Sequence, residues 1–130
     1  MEVLSIIPAR GGSKSIPLKN LRMFNGKPLL SWTILDANKS NVNRVIVSTD
    51  SVEIADIARQ YGAEVPFIRP KNISKDTDGI EIALVHALNF LKENEGYCPD
   101  YVALLVERIS SQPLRAFLKE RIFVPLKMED

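Results

Sequence analysis

Apolar residues along this chain fall into four short runs separated by three longer stretches of helical periodicity. Val3 to Ile7 is the first run. It shows no alternation, as a strand buried on both faces of a parallel sheet requires. Asn25-Gly26-Lys27-Pro28 is turn chemistry, and Pro28 suits the first turn of a helix. Leu29, Leu30, Thr33, Ile34 and Ala37 then recur at helical spacing, and Lys39-Ser40-Asn41 ends that helix. Arg44 to Thr49 holds a second strand centred on Val45, Ile46 and Val47. Asp50 or Ser51 caps the helix that follows, with Glu53 in its first turn. Ile54, Ile57, Ala58 and Tyr61 form its apolar stripe, and Gly62 stops it. Glu64 to Ile68 predicts a third, shorter strand, which Pro66 assigns to an edge. Ile80, Ala83, Leu84, Ala87, Leu88 and Leu91 mark a third helix ending near Asn94 to Gly96. Tyr101 to Leu105 is a fourth buried strand. Beyond it the pattern weakens: a short helix starts at Gln112-Pro113 with Leu114, Phe117, Leu118 and Ile122 on one side. Phe123 to Met128 then reads as a strand or a loose tail broken by Pro125.

Strands alternating with helices predict an α/β fold: a mostly parallel sheet with helices on both faces and right-handed crossovers. Ligands in such sheets sit at the carboxyl ends of the strands. The loops after Ile7, Thr49, Ile68 and Leu105 are therefore expected to face one crevice. At 130 residues and 45% hydrophobic content a single globular domain follows. No run has the length of a membrane span and no secretory leader is visible, so the expectation is a soluble, cytoplasmic protein. The single cysteine, Cys98, excludes an internal disulfide and offers no metal spacing; it is expected to be buried or half-buried. His86 is the only histidine, which excludes a multi-histidine metal site and suggests a packed or solvent-facing ring. Trp32 and Phe24 read as packing residues.

Charge changes the picture at one place. The net charge is +1, but the window from Val3 to Leu35 has no acid and five bases, Arg10, Lys14, Lys19, Arg22 and Lys27, while the rest of the chain sums to −4. A local positive field in a near-neutral protein suits a small anionic ligand and argues against a nucleic-acid partner. Three of those bases lie in the loop Pro8 to Asn20 that leaves the first strand. Gly11 and Gly12 let the backbone approach a phosphate closely with N–H groups turned toward it. Arg10 can make two parallel hydrogen bonds to phosphate oxygens, and Lys14 and Lys19 add point charges. The spacing fits neither the ATPase P-loop nor the dinucleotide fingerprint. A triphosphate is the ligand whose charge these cations match.

The residues Ile7-Pro8-Ala9-Arg10-Gly11-Gly12-Ser13-Lys14, with Ile16-Pro17 and Lys19-Asn20, resemble the opening signature of the acylneuraminate (CMP-sialic acid) cytidylyltransferases and their legionaminate and pseudaminate relatives. The resemblance continues through Asn25-Gly26-Lys27-Pro28-Leu29, Val47-Ser48-Thr49-Asp50, and Arg69-Pro70 with Asp76-Thr77, and spans roughly residues 3 to 105. It implies a Rossmann-like three-layer sandwich of the nucleotide-diphospho-sugar transferase type, here incomplete. Residues 1–105 would be the nucleotide-binding α/β domain and 106–130 a divergent tail of it. It implies transfer of CMP from CTP to a nine-carbon sugar acid, such as sialic or legionaminic acid, with release of pyrophosphate and with Mg2+ bound to the CTP. Arg10, Lys14 and Lys19 would serve the triphosphate. Ala9, Gly11, Gly12, Ser13 and Asn20 would line the nucleotide, and Arg69 with Asp76, Thr77, Asp78 and Gly79 would frame cytosine and ribose. Asp76 and Asp78 read equally well as turn residues. The resemblance leaves a homodimer open, and no metal ligands can be placed.

The chain departs from the family pattern in three places. Ser15 stands where the family has glycine, which adds strain if that position needs positive φ. Only fragments of the family's Gln-Pro-Thr-Ser-Pro-Leu-Arg-like segment survive, displaced to Gln112-Pro113-Leu114-Arg115. Family members are also substantially longer. Two alternatives stay open beside the synthetase: a non-catalytic CTP-binding domain of the same fold, and a different sugar nucleotidyltransferase.

Overall fold

The computed structural model describes residues 1–11, 19–74, 79–105 and 121–125, with 19 and 121–125 as backbone. The elements are β1 (Val3–Pro8), a 3-10 turn at Lys19–Leu21, β2 (Met23–Phe24), β3 (Lys27–Pro28), α1 (Leu29–Lys39), β4 (Arg44–Ser48), α2 (Val52–Gln60), a second 3-10 turn at Lys71–Ile73, α3 (Ile80–Glu95), β5 (Tyr101–Leu105) and β6 (Arg121–Pro125). The sheet order is β4-β1-β5-β6. β1 pairs in parallel with both neighbours, Ile6 standing opposite Ile46 on β4 and Leu104 on β5.

Each central strand sends apolar residues to both faces. On one face Ile7, Val45, Val47 and Ala103 meet Leu30 and Ile34 of α1 and Ile54 and Ala58 of α2. On the other, Leu4, Ile6, Ile46 and Val102 meet Phe67 and Ala87 and Leu91 of α3. This is a three-layer α/β/α sandwich, and it explains why the runs did not alternate: neither face of β1 sees water. Leu4, Ile6, Leu30, Ile34, Ile46 and Leu91 are fully buried, each stabilising the fold by about 1.5–3 kcal/mol relative to exposure.

Several expectations need correction. Glu64 to Ile68 forms no strand beyond a single parallel bridge, Ile46 to Glu64. Glu64 exchanges both of its backbone bonds with Val45 and Val47. The next donor in a parallel ladder would be residue 66, and Pro66 has no N–H to give. The segment regains β4 only where the Arg69 N–H donates to the Thr49 carbonyl at 2.7 Å. Pro28 sits at the N-cap of α1 rather than inside its first turn. Asn25 (φ 50°) and Gly26 (φ 86°) are both left-handed, giving the tight hairpin that joins β2 to β3. In α2 Ala55 is buried where Ile57 was expected. Ile122 lies in β6, not on a helix, and pairs antiparallel with Leu104; β6 thereby covers that edge of β5. The helix expected from Gln112 to Leu118 lies outside the described residues. Cys98 is exposed.

The amino ends of the strands are closed by an ion cluster. The Arg44 guanidinium bonds Glu64 at 2.6 Å and Glu95 at 3.0 Å and lies 4.5 Å from the centre of the Tyr97 ring. The bond to Glu64, more than anything else, holds the Arg44 pKa above its ordinary value. Burial first, then its hydrogen bond to Glu2, pushes the Tyr97 hydroxyl up. No helix among the described residues is long and apolar enough to cross a membrane.

Candidate functional site

At the carboxyl ends of the strands, three of the four expected loops meet on β4. The chain leaving β1 is tied once to β4 and once to the loop that follows it. The Ala9 N–H donates to the Ser48 carbonyl at 2.9 Å, and the Gly11 N–H donates to Asp50 Oδ1 at 2.8 Å. From the third loop, Arg69 folds back onto the same place. Its Nη1 donates to Ser48 Oγ at 3.4 Å and its Nε to Ser74 Oγ at 3.1 Å, while the Ser74 hydroxyl donates to the Pro70 carbonyl at 2.7 Å. Ser48 therefore serves both loops, its carbonyl holding Ala9 and its hydroxyl holding Arg69. The fourth loop, after Leu105, lies outside the described residues.

Burial sharpens these contacts. Arg69 is only 4% exposed and Asn20 only 5% exposed, both rare for such polar residues. A buried guanidinium needs its donors used, and hydrogen bonds involving a charged group contribute about 1.5–3 kcal/mol each. Arg69 also acts on its surroundings. His86, on α3, sits edge-on to Phe67 with ring centres 4.8 Å apart. Burial, and then the Arg69 charge, hold its pKa below the ordinary value. Asn20 Nδ2 donates to the Arg10 carbonyl at 3.5 Å, bridging the two ends of the basic loop.

Of the residues singled out by sequence, Ala9, Arg10, Gly11, Asn20 and Arg69 gather here. Gly79 caps the start of α3. Lys19 is placed as backbone in the first 3-10 turn, and Gly12, Ser13, Lys14, Asp76, Thr77 and Asp78 lie outside the described residues, as does Ser15. The Gly11 N–H, expected to face a phosphate, is given to Asp50 instead. A Cβ at Gly11 would lie 3.0 Å from Ser51 Cβ, so glycine is favoured here by the approach of the helix start. Sequence reading missed Ser48, Ser74 and the part played by Asp50. Two adjacent capping candidates, Asp50 and Ser51, were the available signal: a helix uses one, and the other is free to hold a loop. Among the described residues no group of three or more His, Cys, Asp or Glu side chains is placed to hold a metal ion.

The chain matches the family model described as Cytidylyltransferase over residues 4–102. It is 44% identical over 107 residues to a pseudaminic acid cytidylyltransferase of Campylobacter jejuni, covering 81% of this chain and 45% of that protein. It is 48% identical over 81 residues to a CMP-N,N'-diacetyllegionaminic acid synthase of Legionella pneumophila, covering 62% of this chain and 35% of that one. An N-acylneuraminate cytidylyltransferase A of Danio rerio is 50% identical over 76 residues, covering 58% of this chain and 17% of that protein. Among solved structures, a CMP:2-keto-3-deoxy-manno-octonic acid synthetase complexed with CTP superposes with a TM-score of 0.65 at 23% identity, over 82% of this chain and 40% of its own. That likeness is one of fold, and it makes the sandwich Rossmann-like. The chain spans less than half the length of each of these proteins.

Proposed function

This chain belongs to the cytidylyltransferase family, and we propose that it binds CTP at the carboxyl ends of β1 and β4 and serves the transfer of CMP to a nine-carbon sugar acid of the sialic, legionaminic or pseudaminic type. The observation that carries the reading is the shared anchorage on Ser48. One residue fixes both the backbone of the basic loop and a buried arginine on the neighbouring loop, which sets two recognition elements at a fixed separation before any ligand arrives.

In this reading Arg10, Lys14 and Lys19 neutralise the triphosphate, with Gly12 and Ser13 supplying close backbone approach. Ala9 and Gly11 act as anchors whose N–H groups are already used. Asn20 lies beside the nucleotide, and Arg69 with the 76–79 loop frames cytosine and ribose. The reaction is an in-line attack by a sugar-acid hydroxyl on the α-phosphorus, with pyrophosphate leaving. Its needs are alignment and charge neutralisation, which fixed cations meet without a covalent intermediate. Magnesium would come on the triphosphate oxygens, where it would add to the charge neutralisation. Residues 1–105 carry the nucleotide side, and the pairing of β6 with β5 supports placing 106–130 in the same domain. A cytoplasmic setting, where CTP is available, fits the reading.

Pyrophosphate release tests the transfer: it should require both CTP and a nine-carbon sugar acid. A second reading, CTP binding without turnover, is favoured by the span of the match, since these residues correspond to less than half of each relative. CTP-dependent stabilisation with no pyrophosphate from any such sugar acid would select it. Absence of both stabilisation and turnover at ~1 mM CTP, the upper end of ordinary substrate affinities, would overturn both readings.

A further inference from the structure

Asp50 and Ser51 are adjacent, and either side chain is suited to cap α2. Ser51 takes the role: its Oγ accepts the Ile54 N–H at 3.3 Å, and the hydroxyl donates to Glu53 Oε1 at 3.1 Å. Asp50 is thereby released from the helix, and its Oδ1 accepts the Gly11 N–H at 2.8 Å from a residue 39 positions away. The aspartate is itself well fixed. Thr49, fully buried before it, accepts the Ser51 N–H on its Oγ1 at 3.1 Å, so Asp50 is held between a buried strand end and a capped helix. On the other side of the bond, Gly11 follows Arg10 and opens the basic loop. A carboxylate so close to an anion-binding loop works against a triphosphate by like charge, so its presence needs a structural return.

We infer that Asp50 is the positioning residue of this loop. It does not touch the nucleotide. It holds the Gly11 N–H and so fixes the Arg10–Gly11 peptide where the chain leaves β1, sparing the ligand the cost of ordering it. Its consequence for CTP rests on the nucleotide reading; its geometry does not.

Amide hydrogen exchange and CTP titration of the full 130-residue chain test it. In the wild type the Gly11 amide should be protected. Asp50→Ala should expose it and weaken CTP about tenfold, the usual effect of losing one hydrogen bond to a charged group. Asp50→Asn keeps an acceptor oxygen and should keep both the protection and the affinity, within about threefold. A merely structural role would lower the melting temperature of Asp50→Ala without this rescue by asparagine. Should Asp50→Ala not fold, Asp50→Ser, too short to reach Gly11 yet suited to a helix start, is read the same way. The inference is overturned by an unprotected Gly11 in the wild type, by unchanged CTP affinity in Asp50→Ala, or by Asp50→Asn as weak as alanine. A wild type that protects Gly11 yet binds no CTP supports the latch and removes the nucleotide reading instead.

Discussion

Replacing Gly11 by alanine inserts one methyl group where the chain leaves β1 and passes the start of α2. Its Cβ would stand 3.0 Å from Ser51 Cβ, 3.4 Å from Asp50 Oδ1 and 3.7 Å from Ser51 Oγ. Carbon–carbon contacts are most favourable near 3.5–4.0 Å, so the neighbour must give by a few tenths of an ångström. Backbone strain is not the cause, because Gly11 is not among the residues with positive φ. Neither side yields freely. Ser51 is the N-cap of a helix whose Ile54 and Ala55 are buried, and Gly11 is tied to Asp50. Overpacking of this kind costs about 1–3 kcal/mol. The cheaper relief is to swing the loop away and give up the bond to Asp50, which leaves the sheet intact. Thermal unfolding should therefore fall by about 3–6 °C for each kcal/mol lost in a chain of this size. CTP should dissociate about 5- to 140-fold more readily, the equivalent of that 1–3 kcal/mol. Calorimetric titration reads the affinity and differential scanning fluorimetry the stability. Ser51→Gly provides the internal check: it removes the opposing Cβ and costs the cap only a few tenths of a kcal/mol. The double variant should regain most of the affinity, with a coupling energy of about 1 kcal/mol or more. Wild-type affinity and melting in Gly11→Ala, or strict additivity in the double variant, would refute the proposed junction.

Two further changes probe the same end of the sheet. Arg69→Lys replaces a planar fork by a single ammonium, which cannot serve Ser48 and Ser74 together in the present geometry; CTP affinity should fall at least about tenfold, and unchanged affinity would remove Arg69 from the site. His86→Leu tests the depressed imidazole. Because burial and Arg69 lower its folded pKa below 6.5, the unfolded chain takes up the proton first, and wild-type stability is lost as pH falls through about 6.5 toward the folded value. The leucine variant lacks that slope, so the melting difference should shift in its favour from about pH 7.5 to 5.5; a difference that stays constant over that range would contradict the assignment.

The parts of this fold that were legible in the sequence are those where one physical effect dominates. Val3 to Ile7 and Tyr101 to Leu105 are unalternating apolar runs, and both are strands buried on two faces. The helix from Ile80 ends at Gly96 in the left-handed conformation that glycine tolerates. Legibility fails where two effects compete. Apolar content made Glu64 to Ile68 a strand, but the missing Pro66 donor breaks its ladder after one bridge. Ile122 fits a helical stripe and a strand equally well, and only its antiparallel partner Leu104 decides. In the site, nothing in the chemistry of Arg69 announces that it is almost wholly buried; it was placed there by resemblance alone. Asp50 was assigned to the nearest local task, capping, because its long-range partner is 39 residues away and no periodicity reports such a contact.

Nucleotide selectivity of the 130-residue chain is the most direct test of the account. Calorimetric titrations with CTP, UTP, ATP and GTP in the presence of magnesium should give saturable CTP binding at or below ~1 mM, at least about tenfold tighter than ATP, a difference of roughly 1.4 kcal/mol. No heat with CTP, or equal affinity for CTP and ATP, would contradict the claim that the loop after β1 and Arg69 together form a CTP site.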